Sequence, residues 1–250
     1  MCGIFGISST KPISNQLIKG LSKLEYRGYD SAGISGHGIK NQLVTIKATG
    51  PIKNLKSKLY KLRGITTGIS HTRWATHGQP TLKNTHPHLS GDICTVHNGI
   101  IENYIDLKSY LKKKSFIFKS DTDSEVICHL INYYFSKSAN MQSAIISTAN
   151  SLEGSYALAA INTQTPHTIY SACKGSPIIL GKDVASNYIS SDMTAIVDHT
   201  KSYIPMDDNE FSEISSSDIK IFNKNKRVLS KPTKVSKINK NQASLMGHKH

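Results

Sequence analysis

The chain has 250 residues, 38% hydrophobic and 19% charged, which is typical of a globular protein and not of a disordered one. No apolar run approaches the roughly 20 residues of a membrane span, and no basic segment precedes the first apolar residues as in a signal peptide, so we predict a cytoplasmic protein with one large domain or two small ones. The net charge is +14, and the last 31 residues contain nine Lys or Arg and no acidic residue. This concentration of charge predicts a solvated tail. The tail has no interleaved aromatic residues on which bases could stack, so we predict no nucleic-acid surface.

The first residues of the chain contain a candidate nucleophile, Cys2, followed by Gly3 and Gly6. Removal of Met1 would leave a thiol and a free α-amine on one residue, and an amine with a pKa of roughly 7.7–8.0 can accept a proton near neutral pH. An ordinary buried thiol in a first strand is an equally good interpretation of this segment alone. The other cysteines form no CxxC pair and are predicted to be small buried residues. They are Cys94, Cys128 and Cys173.

Two helices and a strand are predicted next. Apolar residues at helical spacing predict a helix over about residues 13–25, and β-branched residues predict a strand over Leu43–Ala48. A lysine-rich segment with one apolar face predicts a helix over Ile52–Leu62. Arg27 and Gly28 lie after the first of these helices, in a turn with several glycines that is predicted to lead into a further strand. Taken alone, Arg27 fits an exposed charge better than a contact to an anion or a carbonyl.

The densest polar segment lies between Thr67 and Pro80. A short predicted strand leads into a loop that contains Arg73 and the only tryptophan, Trp74. Arg73 suits a carboxylate, because a guanidinium donates two parallel hydrogen bonds. Trp74 is predicted either to cover a site and exclude water or to pack in the core, and this segment alone favours neither.

A second polar segment combines two histidines with an Asn-Gly pair. His86 and His88 have no Asp, Glu or Cys beside them, so we predict no metal site. A strand predicted over Ile93–Val96 leads to Asn98 and Gly99, and a helical pattern follows. The Asn98 amide and the Gly99 backbone N–H are two donors of the kind that form an oxyanion hole.

Two further helices are predicted in the middle of the chain. Thr122 and Glu125 fit an N-terminal capping box, and Asn140 fits the cap of a helix from about Met141 to Leu152. Asp123 has two interpretations, a carboxylate favoured by the helix dipole or the partner of an ammonium group.

Beyond Gly154 the pattern changes to short strands separated by Gly, Pro, Asn and Asp, as in an antiparallel sheet. The predicted strands are Tyr156–Ile161, Thr168–Ala172, Ile178–Leu180, Tyr188–Ser190 and Ile219–Phe222. This half contains little obvious chemistry and is predicted to be scaffold.

Six segments together resemble the glutamine amidotransferases with an N-terminal cysteine nucleophile. They occur in the order and spacing of that family over about residues 2–225, and together they are far more specific than any one alone. The segments are Cys2-Gly3-Ile4, Leu24 to Gly33, His71 to Gly78, Asn84 to His88, Val96 to Asn103 and Asp121 to Glu125. The Tyr-Arg-Gly-Tyr-Asp and Arg-Trp-Ala-Thr-His forms resemble the glutaminase domains of glutamine–fructose-6-phosphate aminotransferases, and not the amidophosphoribosyltransferases or asparagine synthetases.

The resemblance implies an α+β fold, a four-layer αββα sandwich of two antiparallel sheets known as the N-terminal nucleophile hydrolase fold. It implies that the Cys2 thiolate attacks the side-chain amide of L-glutamine while its own α-amine carries the proton. Asn98 and Gly99 would stabilise the oxyanion, and Arg27 and Gly28 would hold the region around the nucleophile. Ammonia would leave, and water would hydrolyse the thioester to glutamate.

The substrate contacts are also implied by the resemblance. Arg73 would bind the α-carboxylate of glutamine and Asp123 its α-ammonium group. The other implied substrate contacts, three of them in a loop that closes over glutamine, are Gly99, Trp74, Thr76 and His77. The family implies no cofactor and no metal.

The resemblance divides the chain into a glutaminase domain, residues 1–225, and a basic linker, residues 226–250. The linker would lead to a sugar isomerase domain that these residues do not contain. That domain would bind fructose-6-phosphate, use the ammonia to form glucosamine-6-phosphate and hold the whole enzyme as a homodimer. We also predict that the active form lacks Met1, because an acylated Cys2 nitrogen cannot act as a base.

Three alternatives remain open. A different N-terminal-cysteine amide hydrolase would not need Arg73 and Asp123. A non-catalytic binding module acting through the basic tail would lose its function on deletion of the residues after about 225, whereas a glutaminase would keep its pocket. A regulatory pseudo-enzyme has little support, because all the expected catalytic residues are present.

Overall fold

The computed structural model describes residues 2–238. Met1 and residues 239–250 lie outside the described residues, and so do the expected removal of Met1 and the end of the predicted linker. None of the helices within residues 2–238 is both long enough and apolar enough to cross a membrane.

The described chain contains fourteen strands and four α-helices. The strands are β1 (Gly3–Ser9), β2 (Ser31–His37), β3 (Leu43–Thr49), β4 (Thr67–Arg73), β5 (His88–Ser90), β6 (Ile93–Ile101), β7 (Gly154–Asn162), β8 (Ile169–Lys174), β9 (Ile179–Lys182), β10 (Ser186–Ser190), β11 (Ser202–Pro205), β12 (Glu210–Ile214), β13 (Ile219–Phe222) and β14 (Lys234–Val235). The helices are α1 (Ser14–Ser22), α2 (Tyr104–Lys112), α3 (Glu125–Ser138) and α4 (Met141–Ser151).

The strands form two antiparallel sheets. The order in the eight-stranded sheet is β14-β11-β9-β10-β1-β4-β2-β3, and the order in the six-stranded sheet is β13-β12-β8-β7-β6-β5. Strand β1 therefore lies inside the larger sheet, between β10 and β4, and β6 lies near one edge of the smaller sheet.

Alternation along the strands separates an inner and an outer face of each sheet. Ile4 belongs to a buried cluster shared by both sheets, whereas the next residue, Phe5, packs with α1 on the outer face. In β7, Ala157 belongs to the cluster between the sheets and Leu158 packs against the helices α2 to α4. The layers are therefore helix, sheet, sheet and helix, and the predicted αββα sandwich is confirmed.

The segment Ile52–Leu62 is helical but forms a 3₁₀ helix, so the prediction of an ordinary helix needs correction. Ile52 and Leu55 are buried, and a spacing of three places them on one face of a 3₁₀ helix. Lys58 Nζ also donates a hydrogen bond of 2.7 Å to the Lys47 carbonyl of β3. Contacts with β3 thus support the tighter helix.

The predicted capping box at Thr122 and Glu125 is wrong, whereas the predicted cap of α4 is confirmed. Helix α3 begins at Glu125 itself, so Thr122 lies outside its first turn. The Glu125 carboxylate accepts hydrogen bonds from the backbone N–H groups of Lys119 and Ser120, at 2.9 Å and 2.7 Å. At α4, Asn140 Oδ1 accepts from the Ser143 backbone N–H at 2.8 Å.

Strand β6 runs beyond the predicted end at Val96, because β7 pairs with it along its whole length. Asn98 pairs with Ala157 and Gly99 pairs with Tyr156, so both lie inside the strand and not after it. Four short strands were not predicted from the sequence. They are β5, β11, β12 and β14.

The described part of the predicted basic linker is attached to the fold at two places, whereas most of its residues are exposed, as a solvated tail would be. Lys231 Nζ lies 2.8 Å from Asp207 Oδ2 and 2.7 Å from Glu210 Oε2. The strand Lys234–Val235 then pairs with β11 at the edge of the larger sheet. The boundary at residue 225 remains a prediction.

Candidate active site

Cys2 directly precedes β1, and its thiol lies against the backbone of Trp74. Strand pairing brings Gly3 opposite Thr72 of β4, so the residues after β4 lie beside Cys2. The Trp74 backbone N–H donates to Cys2 Sγ at 3.3 Å, and the thiol donates to the Trp74 carbonyl at 3.6 Å. The thiol is therefore held by the backbone N–H and C=O of one residue, Trp74, which lies 72 residues away in the sequence.

Burial raises the pKa of the Cys2 thiol above its ordinary value, because the thiolate is poorly solvated there. The Trp74 backbone hydrogen bond and the charge of Arg73 lower the pKa, and the charge of Asp123 raises it. Since the thiolate is the reactive form, a nucleophilic Cys2 in this environment needs a base that removes its proton.

Asn98 and Gly99 lie next to the nucleophile. Asn98 Nδ2 donates to the Cys2 carbonyl at 3.1 Å. Gly99 has a φ of +127°, and a Cβ at this position would lie 2.1 Å from the Ser155 carbonyl oxygen. Only glycine fits both the backbone conformation and the close approach of β7.

A cavity of about 250 Å³ lies beside Cys2. Six of the candidate residues line it: Cys2, Arg27, Trp74, Thr76, Asn98 and Gly99. The structure thus brings the predicted nucleophile, both predicted oxyanion donors and part of the predicted loop together at one cavity.

Arg73 and His77 are candidate residues that do not line this cavity. Arg73 is only 3% exposed. Its guanidinium donates to the backbone carbonyls of His77, of Gly78 at 3.0 Å and of Gln79 at 3.2 Å. In this structure, Arg73 therefore holds the loop that follows Trp74.

Asp123 also lies outside the lining of the cavity. It is 4% exposed, and its Oδ2 accepts a hydrogen bond of 2.9 Å from the backbone N–H of Ile101, at the end of β6. Asp123 and Arg73 both lie close enough to Cys2 to affect the pKa of its thiol. Arg73 and Asp123 thus add a cationic and an anionic side chain to the surroundings of the nucleophile.

The turn with Arg27 and Gly28 packs against the peptide that holds the thiol. A Cβ at Gly28 would lie 2.6 Å from the carbonyl carbon of Arg73 and 2.8 Å from the nitrogen of Trp74. Arg27 is fixed by Asp192, because its Nη1 lies 2.6 Å from Asp192 Oδ2. Arg27 is therefore not the simple exposed charge that its local sequence favours.

Trp74 is 43% exposed, so the interpretation of Trp74 as a core residue is wrong. Its ring packs edge-on against Tyr29, with 5.5 Å between the ring centroids. Trp74 also lines the cavity. Its role as a cover over the bound substrate remains a prediction.

Several residues of the site had no signal in the sequence. The rest of the cavity wall includes Ser155, Ser176, Pro177 and Ser191. Ser191 Oγ accepts a hydrogen bond of 3.0 Å from the Ile4 backbone N–H and so fixes the start of β1. All four lie in the half of the chain predicted to be scaffold, and that prediction needs correction. The pairing of β7 with β6 brings Ser155 to the site, and the pairing of β10 with β1 brings Ser191 there. An isolated bridge between Tyr156 and Gly175 places Ser176 beside them.

Within residues 2–238, no group of three or more His, Cys, Asp or Glu residues is placed to hold a metal ion. His86 and His88 are both buried, with ring centroids 4.6 Å apart. Burial lowers the pKa of His88 to about 3 and that of His86 well below its ordinary value. These rings are therefore neutral interior groups in this structure.

Comparison with known proteins agrees with this geometry. The sequence profile of the glutamine amidotransferase domain matches residues 69–198, which is more than half of the chain. The fold is shared with the glutamine phosphoribosylpyrophosphate amidotransferase of B. subtilis, with a TM-score of 0.78 and 24% identity over 91% of this chain and 50% of that one. The chain therefore belongs to the glutamine amidotransferase domain family.

Within that family the chain is similar to curated enzymes named glutamine–fructose-6-phosphate aminotransferase (isomerizing). It is 39% identical to the one of Buchnera aphidicola subsp. Baizongia pistaciae over 99% of this chain and 41% of the relative. It is 41% identical to the one of Clostridium acetobutylicum over 100% of this chain and 41% of the relative. The resemblance found in the motifs is confirmed, and the chain spans about two fifths of the length of these relatives.

Proposed function

We propose that this chain hydrolyses the side-chain amide of L-glutamine through a thioester on Cys2, giving glutamate and ammonia. The observation that carries the proposal is the meeting of the Cys2 thiol, the Asn98 amide and Gly99 at one cavity. A thiol next to two donors for an oxyanion is the arrangement that acyl transfer requires.

The proposed reaction begins when the free α-amine of Cys2 takes the thiol proton. The thiolate then attacks the amide carbon, and the oxyanion accepts hydrogen bonds from Asn98 Nδ2 and the Gly99 N–H. When this intermediate collapses, the nitrogen takes the proton and leaves as ammonia, and Cys2 becomes a thioester. Water attacks the thioester, releases glutamate and restores the thiol.

Arg73 and Asp123 are proposed to select an amino acid by binding the α-carboxylate and the α-ammonium group of glutamine. The Arg73 guanidinium is engaged with the carbonyls of His77, Gly78 and Gln79. We therefore propose that glutamine binding shifts these loop contacts, so that recognition by Arg73 and closure by Trp74, Thr76 and His77 occur together.

The names of the curated relatives extend the proposal beyond this chain. We propose that the ammonia serves a separate sugar isomerase domain, which adds it to fructose-6-phosphate to give glucosamine-6-phosphate. Residues 226–250 would form the linker to that domain, and the whole enzyme would dimerise through it. A cytoplasmic location and the absence of a bound cofactor belong to the same proposal.

The main test measures glutamate release from L-glutamine by the chain without Met1, beside a Cys2→Ala variant. We expect release that disappears in the variant. An Arg73→Lys variant should raise the KM for glutamine, because lysine cannot form the two parallel hydrogen bonds. Equal hydrolysis of simple primary amides would instead support a different N-terminal-cysteine amide hydrolase.

The role of the α-amine has its own test. A chain that keeps one extra N-terminal residue has an amide in place of the amine, so we expect its glutamate release to fall by a factor of roughly 10²–10⁴, the contribution of a general base. Full activity of the extended chain would contradict the proposed base but not the thioester.

A further inference from the structure

His71 is a buried histidine beside the candidate oxyanion site that takes no part in the proposed reaction. It lies in β4 and is 1% exposed. Its Nε2 lies 2.8 Å from the His97 carbonyl oxygen and 3.0 Å from Asn98 Oδ1. One ring nitrogen thus contacts both the backbone and the side chain of the segment that holds the oxyanion donors.

The partners of Nε2 decide where the proton of His71 lies. A carbonyl oxygen only accepts hydrogen bonds, so Nε2 must carry the hydrogen that it shares between His97 and Asn98. The Asn98 group toward His71 is then its oxygen. The amide nitrogen points the other way and donates to the Cys2 carbonyl at 3.1 Å, which is again only an acceptor. Two independent contacts therefore fix the same orientation of the Asn98 amide.

The opposite orientation of Asn98 is unfavourable on both sides. It would place the NH₂ group against the Nε2–H of His71 and the amide oxygen against the Cys2 carbonyl. Both hydrogen bonds would be lost, the buried one to His71 and the partly buried one to Cys2. An unsatisfied buried polar group costs about 1–3 kcal/mol. Burial lowers the pKa of His71 to about 3, so the ring is neutral at physiological pH.

We infer that His71 is a positioning residue, whose Nε2–H holds the Asn98 amide with its NH₂ group toward the nucleophile. The inference rests on the proposed function, because the benefit of this orientation is an oxyanion donor fixed before the substrate arrives. His71 itself lies behind Asn98, away from the cavity lining, and acts only through it.

The kinetic test compares two substitutions of His71 in the chain without Met1. His71→Phe keeps a ring and removes the donor, and we expect kcat for glutamate release to fall by roughly 10–100-fold with KM within about threefold, since the loss of a whole oxyanion donor costs about 10²–10³. His71→Gln returns a donor near the Nε2 position, so we expect it to recover most of kcat. Equal loss in both variants would overturn the inference.

His37 offers a matched control for general damage to the fold. It is also a buried strand histidine, 4% exposed, and its Nε2 lies 2.9 Å from the Asn162 carbonyl, but it has no contact with Asn98. His37→Phe should lose thermal stability like His71→Phe and keep kcat. If His37→Phe loses as much kcat as His71→Phe, the effect is structural and His71 is not a positioning residue.

A double variant tests whether His71 acts through Asn98. If it does, His71→Phe in an Asn98→Ala background should cost less than about twofold in kcat, because the group that it positions is already gone. A full additional loss would show that His71 acts by another route.

A direct structural test separates this inference from the proposed function. Crystal structures of His71→Phe and the unchanged chain, at about 1.2 Å resolution or better so that the amide oxygen and nitrogen of Asn98 can be distinguished, should show the NH₂ group turned away from Cys2 in the variant. An Asn98 amide that keeps its NH₂ group toward Cys2 would overturn the inference even if the chain is an active glutaminase. A turned Asn98 in a chain that releases no glutamate would support the positioning role and contradict the proposed function.

Discussion

Gly99 combines a φ of +127° with a close approach to the Ser155 carbonyl. The two effects are separable, because Gly64 also has a positive φ, +83°, but a Cβ added there would meet no atom within 4 Å. Backbone strain of an ordinary residue at such a φ costs about 1–3 kcal/mol. Contact with a neighbouring strand adds to this cost only at Gly99.

We predict that Gly99→Ala lowers the free energy of unfolding by at least about 3 kcal/mol, and Gly64→Ala by about 1 kcal/mol. The difference arises because the added Cβ at residue 99 must push β7 away from β6. Urea unfolding of both variants measures it. Equal losses would mean that strain alone, and not contact with Ser155, requires glycine at position 99.

At the scale of an element, the start of α3 depends on the carboxylate of its first residue, Glu125. Burial alone would raise the pKa of Glu125, but hydrogen bonds from His129 and from Lys119 and Ser120 lower it to about 2. The ordinary pKa of a glutamate is about 4.3. The ionised carboxylate therefore stabilises the fold above about pH 4.3, and this contribution is lost as the pH falls toward 2.

We predict that Glu125→Gln lowers the free energy of unfolding at pH 7 by on the order of 2 kcal/mol. The difference from the unchanged chain should shrink to about half near pH 3, because the unfolded chain is then protonated and the folded one partly so. Urea unfolding at several pH values measures the difference. The exposed Glu153 gives the control, and Glu153→Gln should change little at any pH.

Elements with local signals were predictable, and elements fixed by distant partners were not. Asn140 caps α4 through a residue only three positions away, so the sequence contains the whole interaction. The end of β6 depends on pairing with β7, more than 50 residues later. Asn98-Gly99 would favour a turn in isolation, but this pairing keeps both residues in the strand.

At the scale of the whole molecule, Lys231 connects the C-terminal part of the described chain to the turn before β12. Its side chain is 13% exposed and contacts Asp207 and Glu210. The same turn contacts the wall of the cavity, because Asp208 Oδ1 accepts from the Gly175 N–H at 2.8 Å and Gly175 precedes the lining residue Ser176.

We predict that Lys231→Met lowers the free energy of unfolding by roughly 1–3 kcal/mol, since it leaves the buried Glu210 without its cation. It should also expose residues 227–238 to cleavage by trypsin, which cuts after Arg227, Lys234 and Lys237. Lys220, whose amine lies 4.0 Å from Asp218 with both side chains more than half exposed, is the control. An exposed pair contributes about 0–1 kcal/mol, so Lys220→Met should change neither stability nor cleavage.

The candidate site was predictable to the extent that its residues lie in motifs. Local sequence patterns indicated the chemistry of Cys2, Asn98 and Gly99, and the structure brings these residues together at one cavity. Arg73 and Asp123 also have patterns, but their contacts with loop carbonyls and with Ile101 do not follow from residue type. No sequence pattern indicated Ser176 or Ser191, because their place in the cavity wall results from the stacking and pairing of strands.

The position of β1 between β4 and β10 has a consequence for the timing of biosynthesis. Cys2 leaves the ribosome early, but one neighbour of β1 ends at Arg73 and the other at Ser190. At roughly 5–20 residues per second, β10 follows Cys2 by roughly 10–40 s. During that interval the start of the chain cannot complete its sheet, so the proposed removal of Met1 has time to precede the closing of the fold around Cys2.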